Sequence, residues 1–368
     1  MFPHQTIRTY IHAVHCKGQT NTFKNMISKK KALTAVLVTS VMCSAATYVV
    51  VKNVSAQNES SSKNIGECSY NIKRLLGYEY IKPLEYAEPE NESALYSSFK
   101  TKVDALVAEK KKSGLLNNAS VYLRDFKKGN WMSFQGKVPF HPGSLIKVPI
   151  LISYLKFEEH RPGILNAPVT FEAGQYIPSQ SYNSKQIEVG KTYTIKQLLE
   201  YMIKYSDNNA TFLLKKNLDV AQFKKTYDNV GLAVPNIMDV NYSLSAEDFS
   251  VFLKVLFNAG YLSIENSEYA LKLLSECDFK DGFVKGLPAG TPIAHKFGEW
   301  GDGGVNHELH ESGIIYIDGD AYILTVMTSG KSIPELAKTI QEISALFEQE
   351  LDDPNKANGL FQKKNIVL

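Results

Sequence analysis

Phe140-His141-Pro142-Gly143-Ser144-Leu145-Ile146-Lys147 places a proline–glycine turn directly before a serine and a lysine three positions apart. The turn delivers Ser144 to the start of an apolar helix, Val148–Leu155. On a helix, positions i and i+3 share a face, so the Lys147 amine can reach the Ser144 hydroxyl. A serine hydroxyl is a weak nucleophile until a base takes its proton. A desolvated lysine beside other cations is neutral enough to be that base. The free N–H groups of the helix start face the same place and suit a developing oxyanion. S-x-x-K alone is common and recurs at Ser28, Ser60, Ser97 and Ser153. Those copies fall in a basic tail, a linker, the first helix and the interior of the Ser144 helix, without the turn.

Two more short motifs follow. Ser206-Asp207-Asn208 stands between the helical pattern Leu198–Tyr205 and the next helix. Its side chains can reach into a cleft, and Ser206 or Asp207 also suits a helix N-cap. Lys296-Phe297-Gly298 ends an apolar strand, Pro292–Ala294, and runs into a turn rich in glycine at 301, 303 and 304. K-x-G recurs at Lys127 and Lys280, but only the copy at Lys296 lies on a strand edge. There the missing Cβ of Gly298 lets a ligand approach the backbone.

Working outward, residues 92–112 read as a helix with Leu95, Phe99, Val103, Leu106 and Val107 on one stripe. Residues 119–125 and 131–134 alternate around K-K-G-N and predict a hairpin. Helical patterns occupy 144–157, 194–205, 207–217, 220–228, 245–259 and 266–276. Strand character returns at 292–297, 312–318 and 321–327, with Asp318-Gly319 at a turn, and an amphipathic helix closes at 333–350. The pattern predicts an α+β sandwich. An antiparallel sheet is built from both ends of the domain and flanked by N- and C-terminal helices, with an all-helical subdomain inserted at about 144–286.

S-x-x-K, S-D-N and K-x-G in that order resemble the class A β-lactamase and penicillin-binding serine hydrolase superfamily. The flanking stretches 189–210, 286–298 and 310–316 are similar too, and the resemblance covers roughly residues 92–350. It implies that Ser144 is acylated, with Lys147 as proton acceptor and Ser206 as relay to the leaving nitrogen. Asn208 would bind the amide side chain of the substrate. Lys296 would attract the substrate carboxylate and keep Lys147 neutral. The backbone N–H groups of Ser144 and Glu299 would form the oxyanion hole. The implied substrates are β-lactams or D-alanyl peptides of peptidoglycan, with no cofactor and no metal.

The chain departs from that pattern in three ways. Class A enzymes deacylate through a glutamate in an E-x-x-L-N loop, and no such glutamate lies between Ser206 and Lys296. The corresponding segment, Val234–Leu244, has Asp239 as its only carboxylate. Phe297 replaces the hydroxyl residue of K-T-G. All four arginines (Arg8, Arg74, Arg124, Arg161) precede Ser206, so none follows to clamp a carboxylate. Slow deacylation is therefore expected. The alternative is a catalytically inactive ectodomain of the same fold that binds or senses wall fragments.

The N-terminus carries a different message. A basic tail, 1–31, with Lys24 and Lys29-Lys30-Lys31, precedes the uncharged run Ala32–Val51. Twenty residues at about 1.5 Å each span a hydrocarbon core of about 30 Å. The lysines would stay in the cytoplasm and leave the rest outside. A retained anchor is expected, with a signal peptide cleaved after Val54-Ser55-Ala56 as the rival. Residues 52–91 read as linker and connector, and 351–368 as a tail. Net charge +3, with scattered basic residues, excludes a nucleic-acid-binding face. A monomer is expected.

The four cysteines (Cys16, Cys43, Cys68, Cys277) form no metal-ligand pattern. Only Cys68 and Cys277 could pair outside, and two buried thiols are the expected state. His307 and His310 with Glu308 and Glu311 are expected to be structural rather than zinc ligands.

Overall fold

The computed structural model describes residues 69–174, 181–182, 184–236 and 242–352. The chain divides into two units, 1–67 and 68–368. All of the first lies outside the described residues, including the apolar run 32–51. So do Cys68, Asp239 and the tail from 353. Among the described residues no helix is long and apolar enough to cross a membrane.

The second unit opens with a hairpin of β1 (Tyr70–Arg74) and β2 (Leu84–Pro89), then α1 (Ser97–Lys112). Next come β3 (Leu116–Asp125) and β4 (Trp131–Phe134). The helical stretch follows: α2 (Lys147–His160), α3 (Ile195–Lys204), α4 (Asn208–Lys216), α5 (Val220–Val230), α6 (Ala246–Phe257), α7 (Ile264–Ser275) and α8 (Phe283–Gly286). The chain returns through β5 (Ile293–Gly301), β6 (His307–Ile317) and β7 (Asp320–Gly330) to α9 (Ile333–Leu351).

Five strands form one antiparallel sheet in the order β4-β3-β7-β6-β5. Strand alternation splits the core in two. Ala119, Val121 and Leu123 of β3 pack with Phe99 and Val103 of α1 and with Ile340 and Phe347 of α9. Tyr122 and Ala294 belong to the other core, shared with the inserted helices. By the same alternation, Lys296 and Gly298 look toward those helices. The α+β sandwich is thus what the sequence pattern predicts, and its sheet places K-x-G on an edge strand facing the insertion.

Two differences from the sequence reading bear on the site. β6 begins at His307, five residues before the expected 312, because the polar stretch H-E-L-H-E is paired rather than solvated. His295 Nδ1 meets Glu311 Oε1 at 2.6 Å, and Glu311 Oε2 accepts from Phe283 N at 2.8 Å. Residues 69–91, expected to be a connector, instead form the β1–β2 hairpin and are fastened to the sheet. Glu88 of β2 accepts from Arg124, from Lys254 Nζ at 2.7 Å and from Tyr122 Oη at 3.3 Å. Trp131 Nε1 donates to Pro89 O at 2.7 Å.

Removing the Glu88 carboxylate leaves two buried cations, Arg124 and Lys254, without their shared partner. Glu88→Ala is expected to lose about 3–5 kcal/mol of stability, measured by urea unfolding of the intact protein.

Candidate active site

Residues Gly143–Ile146 form a single 3-10 turn, and α2 begins only at Lys147. The sequence reading put Ser144 on the α-helix itself. A 3-10 turn has three residues per turn, so positions i and i+3 eclipse and Lys147 lies directly beneath Ser144. Both are buried. Gly143 has φ +52°, and a Cβ there would lie 2.4 Å from the Glu299 carbonyl oxygen. A Cβ on Gly298 would lie 2.3 Å from Pro142 O and 3.0 Å from Leu145 N. Two glycines therefore let the Ser144 turn press against edge strand β5. The space that sequence reasoning left for a ligand at Gly298 is filled by Pro142 and Leu145.

The turn is braced from β6. Glu308 Oε2 accepts from His141 N at 2.8 Å. His310 accepts from Thr328 N through Nδ1 at 3.2 Å, and its Nε2 meets His141 O at 2.9 Å. The His141 ring stacks on Trp300 with centroids 3.9 Å apart. Burial would raise the Glu308 carboxyl, but hydrogen bonds from His310 and His141 outweigh it and hold it below its ordinary value. These residues position the Ser144 turn. Among the described residues no group of His, Cys, Asp and Glu is placed to hold a metal ion.

Opposite the turn, Ser206 is the middle of the three residues linking α3 and α4, with φ +54°. That conformation costs a non-glycine residue roughly 1–3 kcal/mol and persists only where its surroundings impose it. Its neighbour Asp207 is fixed on both sides. Its buried carboxylate accepts from Asn209 N and from Ile187 N, each at 2.8 Å, capping α4 and tying down the 187 loop. Lys147 Nζ donates to Ser206 Oγ at 2.9 Å, to Ser206 O at 2.7 Å and to Asn208 Oδ1 at 3.0 Å. From β5, Lys296 Nζ reaches the same Ser206 Oγ at 3.0 Å and Phe297 O at 3.0 Å. Lys147, Ser206, Asn208 and Lys296 thus form one hydrogen-bonded cluster.

The cluster sets its own protonation. Burial, and then the charge of Lys296, push Lys147 well below the ordinary lysine range. Burial pulls Lys296 down to about 8. A neutral Lys147 amine beside a Lys296 that is charged at neutral pH can take a proton from a serine hydroxyl.

The rim differs in kind. The Phe297 ring lies 3.9 Å from Lys296 Nζ and stacks on Phe279 at 4.5 Å, with Tyr182 edge-on to both. The Glu299 carboxylate accepts from Ser181 N at 3.0 Å and Ser181 Oγ at 2.7 Å. Arg124 is engaged with Glu88, and Arg74 donates to Lys82 O at 2.8 Å. Cys277 is a buried free thiol. Residue order could not reveal the aromatic cover or the Glu308 brace, because both join segments far apart in the chain. Asp207 was visible as a helix cap but not as the tie to the 187 loop.

The profile of the beta-lactamase enzyme family matches residues 98–351. The chain belongs to that family. Solved structures of similar fold include PBP-A, also known as a mutant in acyl-enzyme complex with penicillin G. PBP-A is 21% identical, with TM-score 0.60, over 69% of this chain and 96% of that one. A beta-lactamase from Chitinophaga pinensis is 19% identical, with TM-score 0.62, over 70% of this chain and 100% of that one. A class A beta-lactamase from Mycobacterium abscessus is 18% identical, with TM-score 0.59, over 69% and 98%. No curated protein sequence matches. As a member of the beta-lactamase enzyme family, the chain has the fold of a serine acyl-enzyme hydrolase.

Gly298→Ala is expected to separate β5 from the Ser144 turn, since the new Cβ meets backbone atoms on both sides. If Ser144 is acylated as proposed below, a displacement of about 1 Å predicts about a 100-fold drop in acylation rate. Intact-mass kinetics would read it, beside circular dichroism to establish folding.

Proposed function

We propose that this protein is a serine acyl-enzyme hydrolase that reacts with β-lactams or D-alanyl peptides through Ser144. Neutral Lys147 accepts the Ser144 proton as Oγ attacks the scissile carbonyl, and the carbonyl oxygen becomes an oxyanion facing the N–H groups of Ser144 and Glu299. Collapse breaks the C–N bond. Ser206 donates its proton to the leaving nitrogen and is reprotonated from Lys147, leaving an ester on Ser144. Asn208 holds the amide side chain of the substrate, and the Glu299 N–H lines its backbone side. Lys296 supplies positive charge for the substrate carboxylate. The observation that carries this reading is that one hydroxyl, Ser206 Oγ, lies within hydrogen-bond reach of both lysines.

Release is slower than acylation in this reading. The segment Val234–Leu244 supplies no glutamate to activate water. Phe297 also contributes no hydroxyl to the carboxylate subsite. The protein is further read as anchored through 32–51, with its catalytic unit outside the membrane, where peptidoglycan peptides are found.

Acylation should depend on pH through both lysines. The rate rises as Lys147 loses its proton. It falls as pH climbs through about 8, where Lys296 loses the charge that holds substrate. A pre-steady-state profile with a penicillin from pH 6 to 10 checks both limbs, and a flat alkaline limb removes Lys296 from the carboxylate role.

Intact mass after incubation with a penicillin, beside Ser144→Ala, tests the core of the proposal. A persistent adduct on the wild type alone is the expected result. Drug hydrolysis without an adduct would point to an unrecognised deacylating group. Intact drug with no adduct would favour a binding domain and sink the hydrolase reading.

A further inference from the structure

Twelve large apolar side chains stand exposed among the described residues, and seven lie between Tyr70 and Leu84. Tyr80 is 89% exposed, Leu76 73% and Ile81 58%. Monomeric domains rarely gather so much apolar surface in one short segment without a partner for it. The hairpin is not waiting for the domain core, because its inward side is already seated. Leu75 and Tyr86 are buried in the core, and Glu88 is held by Arg124 and Lys254. The tip is closed by Leu75 N to Pro83 O at 2.9 Å and by Arg74 Nη1 to Lys82 O at 2.8 Å. The outward residues therefore form a fixed display.

Its charge is one-sided. Residues 70–84 carry Lys73, Arg74 and Lys82 against a single acid, Glu79. Beside the tip, Leu76 and Tyr78 border a groove of about 250 Å³ whose other wall includes His160 and Lys225. Tyrosines and aliphatic side chains rimmed by cations match the boundary between phospholipid headgroups and acyl chains. A second copy of this chain would bring the same cations against themselves.

Position in the chain points the same way. Residues 52–69 separate the apolar run from Tyr70, and their Ser- and Asn-rich composition is that of a flexible linker. Eighteen such residues have a root-mean-square span of about 25 Å. The hairpin is the first described element after that tether.

We propose that the hairpin tip, residues 75–84, is a membrane-contact element seated in the headgroup layer of the bilayer that holds the anchor. Tyr80, Leu76 and Ile81 enter the acyl boundary. Arg74, Lys82 and Lys225 meet anionic phosphates. The proposal rests on the anchored reading given above.

The test uses full-length protein reconstituted into phosphatidylglycerol–phosphatidylcholine vesicles with brominated acyl chains. Tyr80→Trp places a fluorophore on the tip, and Ile264→Trp places one on an equally open helix start, 77% exposed and outside the hairpin. Wild-type emission from Trp131 and Trp300 is subtracted. Expected are a blue shift and several-fold stronger bromine quenching for Tyr80→Trp than for Ile264→Trp. Protein that floats with the vesicles while both tryptophans are quenched equally overturns the hairpin contact and leaves the anchor intact. Protein that does not float overturns the anchored reading itself. A blue shift without bromine quenching means that protein covers the tip, either a second copy or the chain's own N-terminal segment, and also overturns the proposal.

Discussion

Two lysines from distant parts of the chain share one hydroxyl, Ser206 Oγ, in a space closed to water. Like charges so placed repel, and among the described residues neither Lys147 nor Lys296 has a carboxylate as a hydrogen-bond partner. The strain is relieved by protons rather than by counter-ions: Lys147 gives its proton up readily, and the charge concentrates on Lys296. Much of the surrounding structure serves to keep the two amines together and dry. Asp207 caps α4 and ties down the 187 loop beside Ser206, and two glycines let the Ser144 turn lie against β5. Glu308 and His310 keep that turn from drifting.

The Phe297 ring has a place in this economy. A buried ammonium needs compensation for lost hydration, and an aromatic face 3.9 Å away supplies some of it. The cation is thereby stabilised toward the protein interior, backed by Phe279 and edged by Tyr182. A hydroxyl at the same position would instead share in binding the ligand. Phe297 at the centre of K-x-G thus helps a buried Lys296 keep its charge.

What was legible in the sequence followed from local rules. The alternation of β3 and β5, the Asp318-Gly319 turn with both residues at positive φ, and the apolar stripes of the helices each need only neighbours in the chain. Ser144, Lys147, Ser206, Asn208 and Lys296 were legible because their motifs are contiguous. Three features were not. The hairpin 70–89 looked like a connector because its apolar residues face outward and its one decisive contact is an acid, Glu88, meeting cations far away. The 3-10 turn at Ser144 is imposed by contact with β5 rather than by composition. The start of β6 looked like a polar loop because pairing of Glu308 and Glu311 with histidines and backbone N–H groups is long-range.

The pairing of β3 with β7 joins residues about two hundred positions apart, as in Tyr322 opposite Asp125. Loop-closure entropy makes such a contact late and slow to form. Lys296 arrives with β5, which is tied to β3 only through β6 and β7. A chain emerging from the ribosome therefore holds Ser144, Lys147 and Ser206 long before it holds the second lysine. Until the last strands dock, Lys147 has no cationic neighbour from β5. Under the proposed function, reactivity is in this sense a property of completion: Ser144 would be activated only on the arrival of the C-terminal strands.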